Sequence, residues 1–129
     1  MVPVRRVYDG VSPADGERVL VDRLWPRGLS REALRLDDWA KDVAPSTELR
    51  RWYAHDPAKF EEFRARYRRE LDEAPARAAF DRLRALADAG PLTLLTAAAD
   101  VPHSQAWVLS ELLRDAPPDG SGPGRATRG

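Results

Sequence analysis

The sequence predicts an α/β domain: a small three-layer fold with a mainly parallel sheet and helices on both faces. Two short runs, Arg18-Val19-Leu20-Val21-Asp22 and Leu92-Thr93-Leu94-Leu95-Thr96, have unbroken apolar centres, the pattern of strands buried on both faces. The chain between them has helical periodicity punctuated by capping residues. Its last unit runs helix, Gly90-Pro91, buried strand, helix, which is the alternation that builds a parallel sheet.

In chain order, Val4 to Tyr8 is a weaker strand candidate. Asp9 to Gly16 is a turn-rich connector, short for a parallel crossover but with room for one helical turn starting at Ser12-Pro13, so the direction of the first strand stays open. Ser30 caps a short helix through Leu36, and Ser46 caps another in which Leu49, Trp52 and Tyr53 share a face. Asp56-Pro57 supplies the cap and first residue of the clearest amphipathic helix, where Phe60, Phe63, Tyr67 and Leu71 recur on one side. Pro75 begins the next, with Phe80, Leu83 and Leu86 inward, and Gly90-Pro91 stops it. A last helix, from about 101 to 114, buries Leu109, Leu112 and Leu113. Residues 1–115 therefore form one domain, and 116–129, rich in proline and glycine without apolar periodicity, form a disordered tail.

The chain has 129 residues and no cysteine, which removes disulfides, thiol nucleophiles and cysteine-ligated metals from consideration. No apolar run reaches the roughly 20 residues needed to span a bilayer, and the amino terminus lacks a signal-peptide core, so a soluble cytoplasmic protein without membrane partners is expected. Acidic and basic residues balance at 21 each, and all the basic ones except Lys41 and Lys59 are arginine. That balance argues against nucleic acid as the main partner. The densest basic run, Arg64 to Arg69, is bracketed by Glu61, Glu62 and Glu70 and reads as a solvated helix face with i,i+4 pairs.

In parallel α/β sheets ligands bind beyond the carboxyl ends of the strands, which selects the loops after Asp22 and after Thr96. Asp22-Arg23-Leu24-Trp25-Pro26-Arg27-Gly28 places two guanidinium forks, a carboxylate and an indole together, a set suited to an anionic, partly flat ligand. The alternative is structural: Asp22 pairs with an arginine, Trp25 packs over the sheet edge, and Pro26-Arg27-Gly28 turns the chain. In Thr96-Ala97-Ala98-Ala99-Asp100-Val101-Pro102-His103 the small residues admit a ligand to the backbone and the following helix start offers N–H donors. His103, one turn beyond Asp100, is an acid–base candidate with an orienting carboxylate; the plainer reading leaves Asp100 as a cap and His103 idle. His55, at a helix junction, is a third candidate facing the same region. Neither histidine has a metal-ligand spacing, so no metal site is assigned, and no nucleotide or hydrolase motif specifies a cofactor.

These same segments resemble the YeaO-like branch of a bacterial domain-of-unknown-function family (domain of unknown function 488). The resemblance rests on Arg6-Val7-Tyr8-Asp9, on Arg18 through Gly28, on Trp39 through Ser46, on Trp52 through Pro57 and on Thr93 through Ala98, within about residues 5–114. It implies a small Rossmann-like domain and no established reaction. The family pattern carries His-Asn in the last loop, whereas here His103 is followed by Ser104.

The functional expectation is a small enzyme or ligand-binding protein with an anion-accepting pocket. Arg23, Trp25 and Arg27 hold a phosphate or carboxylate, Asp22 orients them or acts as a base, and Thr96, Asp100, His103 and His55 complete the site. The competing expectation is a non-enzymatic regulator binding nucleic acid or protein through the arginines near Arg64 to Arg69. The sequence leaves oligomeric state open, a homodimer included.

Overall fold

Leu92–Thr96 is buried at every residue, as its unbroken apolar centre requires, and it lies inside the sheet with a neighbour on each side. In the computed structural model, which describes residues 2–115, the strands are β1 (Val4–Arg6), β2 (Glu17–Leu20), β3 (Asp38–Trp39) and β4 (Leu92–Thr96). Their order is β1-β4-β2-β3 and every pair is parallel. Val4 faces Leu94 across one boundary of β4, and Val19 faces the same Leu94 across the other. The tail expected over 116–129 lies outside the described residues.

The direction of the first strand is thereby settled as parallel. β1 has three residues and rises only about 10 Å, so the connector to Gly16 returns to the start of the sheet without a full crossover helix. It carries the expected single turn at Pro13–Asp15, in which Ser12 Oγ accepts from the Ala14 N–H at 3.3 Å and Asp15 accepts from the Ser12 N–H at 2.9 Å. β1 stops at Arg6, two residues short of expectation, because Val7–Asp9 coils into a 3-10 turn whose Asp9 carboxylate accepts from the Arg6 N–H. β2 begins and ends earlier than expected, although the Val21 N–H still donates to the Leu95 carbonyl at 3.1 Å. β3 was not expected at all: two residues are too few to show a period of two.

Alternation along β2 and β4 divides the core in two. Val19, Val21, Leu92 and Leu94 face α2 (Thr47–Tyr53), α3 (Phe60–Glu70), α4 (Ala76–Ala89) and α5 (Gln105–Asp115), with Phe63, Tyr67, Leu83 and Leu109 filling the layer between. Leu20 and Leu95 point the other way, against α1 (Arg31–Leu34), Val7 and the partly buried Trp25 and Trp39. This is the three-layer arrangement, with a thick helical layer on one face and a thin one on the other. No helix among the described residues is long and apolar enough to cross a membrane.

The helix boundaries follow their caps. Ser30 accepts from the Ala33 N–H at 3.0 Å, but α1 ends at Leu34, before Leu36, because Arg35 takes the left-handed conformation. Ser46 caps α2 and also donates its hydroxyl to Glu70 at 2.6 Å, fastening α2 to the end of α3. The chain leaves α2 through two left-handed residues, Ala54 and His55, and Asp56 caps the turn at Pro57–Lys59 that feeds α3. The helix expected to begin at 101 is divided: Val101–His103 is a 3-10 turn, and α5 starts after Ser104, whose hydroxyl accepts from the Trp107 N–H. On α3, Arg66 pairs with Glu62, and Arg64 lies between Glu61 and Glu111, so much of this helix face is a balanced charge lattice.

At the amino ends of the strands a buried ionic cluster replaces apolar packing. The carboxylate of Asp15 meets Arg18 at 2.5 Å and Arg5 at 3.1 Å, and Arg18 also donates to the Leu34 and Arg35 carbonyls. The Ser12 N–H and the two guanidinium groups hold the Asp15 carboxyl below its ordinary range. Beside it Gly16 has φ +65°, and a Cβ there would lie 2.3 Å from the Pro91 carbonyl oxygen. Gly16→Ala is therefore expected to destabilise the fold by at least about 2 kcal/mol, read as a lower urea midpoint; a midpoint equal to wild type would show that β2 and the turn before β4 are not held this closely.

Candidate functional site

Beyond Leu20 the chain leaves β2 through Val21 and delivers Asp22 to the carboxyl edge of the sheet. There its carboxylate meets the exit of β4. Oδ1 accepts from the Thr96 hydroxyl at 2.8 Å and from the Gln105 amide at 2.6 Å, and Oδ2 accepts from the Ala97 N–H at 2.8 Å. The Asp22 carbonyl in turn accepts from the Trp39 indole at 2.7 Å. One residue thus joins the ends of β2, β3 and β4 to the first turn of α5. Burial pushes the Asp22 carboxyl above its ordinary value, and the donors from Ala97, Thr96 and Gln105, with the positive charge of Arg50, hold it back only in part.

Over this knot lies a cleft of about 670 Å³. Of the residues expected at the site, Asp22, Arg23, Trp25, Arg27, His55, Thr96 and His103 all line it. Asp100 does not, but its carboxylate lies 2.8 Å from His103 Nδ1, giving the orienting contact anticipated for that pair. The His103 ring also stands edge-on to Phe60 at 5.1 Å, and its carbonyl accepts from the Tyr53 hydroxyl at 2.6 Å. Burial raises the Tyr53 hydroxyl above its ordinary value, which keeps it a donor. Two contacts therefore set the imidazole, and a third fixes the backbone that carries it.

Several expected roles are redistributed. Asp22 touches neither Arg23 nor Arg27; its partners belong to the loop after β4 and to α5. Arg23 spends its guanidinium on the Ala44 carbonyl at 3.2 Å, and more weakly on that of Pro45, so it braces the chain before α2. Trp25 donates its indole N–H to the Leu29 carbonyl at 2.7 Å, meets Trp39 edge-to-face at 5.3 Å and has the Arg31 guanidinium over its ring. The packing alternative thus describes Trp25 well, although it borders the cleft. The two small residues that line the cleft offer no free backbone donors: the Ala97 N–H is taken by Asp22 and the Ala98 N–H by Thr96, while Arg6 covers the Ala97 and Ala98 carbonyls. Ser104 occupies the position after His103 as the cap of α5, a duty asparagine performs equally well.

The positive charge comes from residues that sequence reasoning passed over. Arg50 and Arg51 project from α2 into the cleft, where Thr47 lies 3.4 Å from Arg50 and the Arg50 Nε is buried without a hydrogen-bond partner. Arg27 and Arg51 are exposed, and none of Arg27, Arg50 and Arg51 has an ion-pair partner among the described residues. Asp22 is the single carboxylate among the described residues lining the cleft, against four arginines. Adjacent arginines about one turn before His55 were the available signal, but on a helix rich in polar residues they look like ordinary surface. No group of three or more described His, Asp or Glu residues is placed to hold a metal ion.

The family described as the inactive DUF488-N3 subclade matches residues 1–124. An uncharacterised protein of Mycobacterium tuberculosis is 48% identical over 112 residues, covering 87% of this chain and 92% of the relative. An uncharacterised protein of Mycobacterium bovis shows the same identity and coverage. The uncharacterised protein YeaO of Escherichia coli is 41% identical over 113 residues, covering 88% of this chain and 96% of the relative. No solved structure matches the chain at a significant level.

The burial of Asp22 has a measurable consequence. Its folded-state value lies above the unfolded one, so its contribution to stability is full below about pH 4 and is lost as pH rises through the raised value. The unfolding free energy of wild type minus that of Asp22→Asn should therefore fall as pH rises from about 4, whatever constant offset the substitution adds. Urea titrations across that interval check it; a difference that rises with pH would mean that the three donors outweigh burial.

Proposed function

Because the chain belongs to the inactive DUF488-N3 subclade, we propose that its cleft is a binding site for a small anionic ligand, a phosphate or a carboxylate, held by Arg27, Arg50 and Arg51. One observation carries the reading. A chain whose charges cancel at 21 and 21 places four arginines and one carboxylate around a single cleft. Guanidinium is the side chain best matched to planar or tetrahedral oxyanions, because its fork donates two parallel hydrogen bonds. The one carboxylate, with both its oxygens engaged by Thr96, Ala97 and Gln105, offsets only part of the charge of four guanidinium groups.

Binding is favoured over turnover. A general base needs a free lone pair aimed at its proton, and the half-buried Asp22 carboxylate already accepts from three donors. The description of the family as inactive points the same way. The Asp100–His103 contact supports an enzymatic second reading, in which Asp100 orients His103 as the acid–base group facing an anion on the arginines. The regulatory alternative draws less support, because Arg64 and Arg66 on α3 are engaged by glutamates. The composition is that of a soluble cytoplasmic protein, and that is where we place it.

Thermal-shift titration against inorganic phosphate, sugar phosphates, nucleotides and carboxylates tests the reading. A ligand at a hundred times its Kd stabilises the wild type by about 2.7 kcal/mol. Arg27→Ala should retain its own melting temperature and need about tenfold more ligand for the same shift. Identical responses from both proteins across the panel would remove the anion site. Retention of binding but loss of any turnover in His103→Asn would establish the enzymatic reading instead.

A further inference from the structure

The cleft is too large for a bare anion. Its volume of about 670 Å³ falls in the range of sites for small organic ligands, whereas a tetrahedral oxyanion fills only a small part of such a space. What lines the remainder is informative. Three large apolar side chains are conspicuously exposed among the described residues, namely Tyr8 at 47%, Val11 at 46% and Leu24 at 69%, and two of them, Tyr8 and Leu24, border this cleft. A single exposed leucine is ordinary; one beside an exposed tyrosine and a cluster of unpaired arginines is a contact surface.

The sequence alone offers Trp25 as the flat partner, but its indole is occupied by Leu29, Trp39 and Arg31. Tyr8 takes that place. The Arg6 guanidinium sits 5.1 Å from its ring centroid, and its hydroxyl donates to the Arg27 carbonyl at 3.2 Å. The aromatic surface and one anion-binding residue are thereby joined through a hydrogen bond. The charge side is equally specific. Arg27, Arg50 and Arg51 make no ion pair among the described residues, and the longer-range attraction between Arg50 and Asp22 leaves most of that charge uncompensated. A phosphate monoester, carrying about −1.5 to −2 at neutral pH, matches it better than a single carboxylate.

From these observations, and resting on the anion-binding reading above, we infer that the cleft selects a phosphate monoester bearing a compact apolar or planar group, with the phosphate on Arg27, Arg50 and Arg51 and the group packed on Tyr8 and Leu24. Isothermal titration of the full chain with inorganic phosphate, phenyl phosphate and benzoate tests this directly. Wild type should bind phenyl phosphate about tenfold or more tightly than either of the others. Arg51→Ala should weaken phenyl phosphate and inorganic phosphate alike, each by about tenfold. Leu24→Ala should weaken phenyl phosphate by roughly fivefold and leave inorganic phosphate unchanged. Both substitutions are at exposed positions, and melting temperatures control for folding.

Phenyl phosphate binding no tighter than inorganic phosphate would overturn the apolar half of the inference while the anion site stands. Benzoate binding as tightly as phenyl phosphate would overturn the preference for a dianion. Absence of binding by all three would overturn both the inference and the anion-binding reading. The wild-type ratios decide among these outcomes even where a variant fails to fold.

Discussion

The carboxyl edge of this fold is organised by one acid. Asp22 accepts from the loop after β4 twice and from the first turn of α5 once, while its own carbonyl takes the indole of β3. A parallel sheet does not by itself hold its exit loops together, because each strand leads into a separate crossover. Here three donors converge on one half-buried carboxylate, so the exits of β2 and β4 are tied into a single wall. The energetic cost is visible in the same group: burial disfavours the charged form, and the donors recover only part of that penalty. An acid so placed holds geometry better than it moves protons.

That placement also explains how a neutral chain presents a cationic cleft. Elsewhere several arginines are matched, Arg18 and Arg5 closing on buried Asp15, Arg64 and Arg66 on glutamates of α3 and α5, and Arg77 on Asp72 and Asp81, while Arg31, Arg35, Arg68 and Arg69 stand on the surface without an ion pair among the described residues. Around the cleft the matching fails, since its one carboxylate is committed to backbone and neutral donors while Arg27, Arg50 and Arg51 lack ion-pair partners among the described residues. Whole-chain charge therefore says little about the local field. In a recess that partly excludes water, three such groups exert far more on an anion than the same groups on an open surface.

Much of the fold could be read from the sequence because burial on both faces leaves an unmistakable apolar run, as at Leu92–Thr96, and because Ser12, Ser30, Ser46 and Asp56 announce helix starts through side chains that satisfy orphan N–H groups. β3 could not, since two paired residues owe their conformation to the neighbouring strand and not to their own pattern. The split before α5 turned on Ser104 outcompeting Asp100 as a cap, a choice between two good capping residues four apart. Chain proximity pointed to the two loops at the cleft, but Arg50 and Arg51 lie on a helix brought there by tertiary contacts, the Ser46–Glu70 hydrogen bond and the packing of Leu49 and Tyr53 among them. No linear pattern encodes that docking.

The Asp22 to Gly28 segment shows why a dense motif can mislead about which side chains stay open to the cleft. Its charged and aromatic residues all lie at the site, yet they divide between building it and facing into it. Asp22 and Trp25 spend their polar groups on backbone or neighbouring side chains, Arg23 turns one guanidinium nitrogen to the Ala44 and Pro45 carbonyls, and Trp25 adds apolar contact to the thin layer behind the sheet. Only Arg27 and Leu24 remain outward, and Tyr8 secures the Arg27 backbone from the end of β1. A buried polar group must find a partner within the protein, so the residues with most hydrogen-bonding capacity are the first to be consumed when a loop packs down. What is left for a ligand is the surplus: guanidinium groups without carboxylates and apolar side chains without cover. In this protein both kinds of surplus face the same cleft.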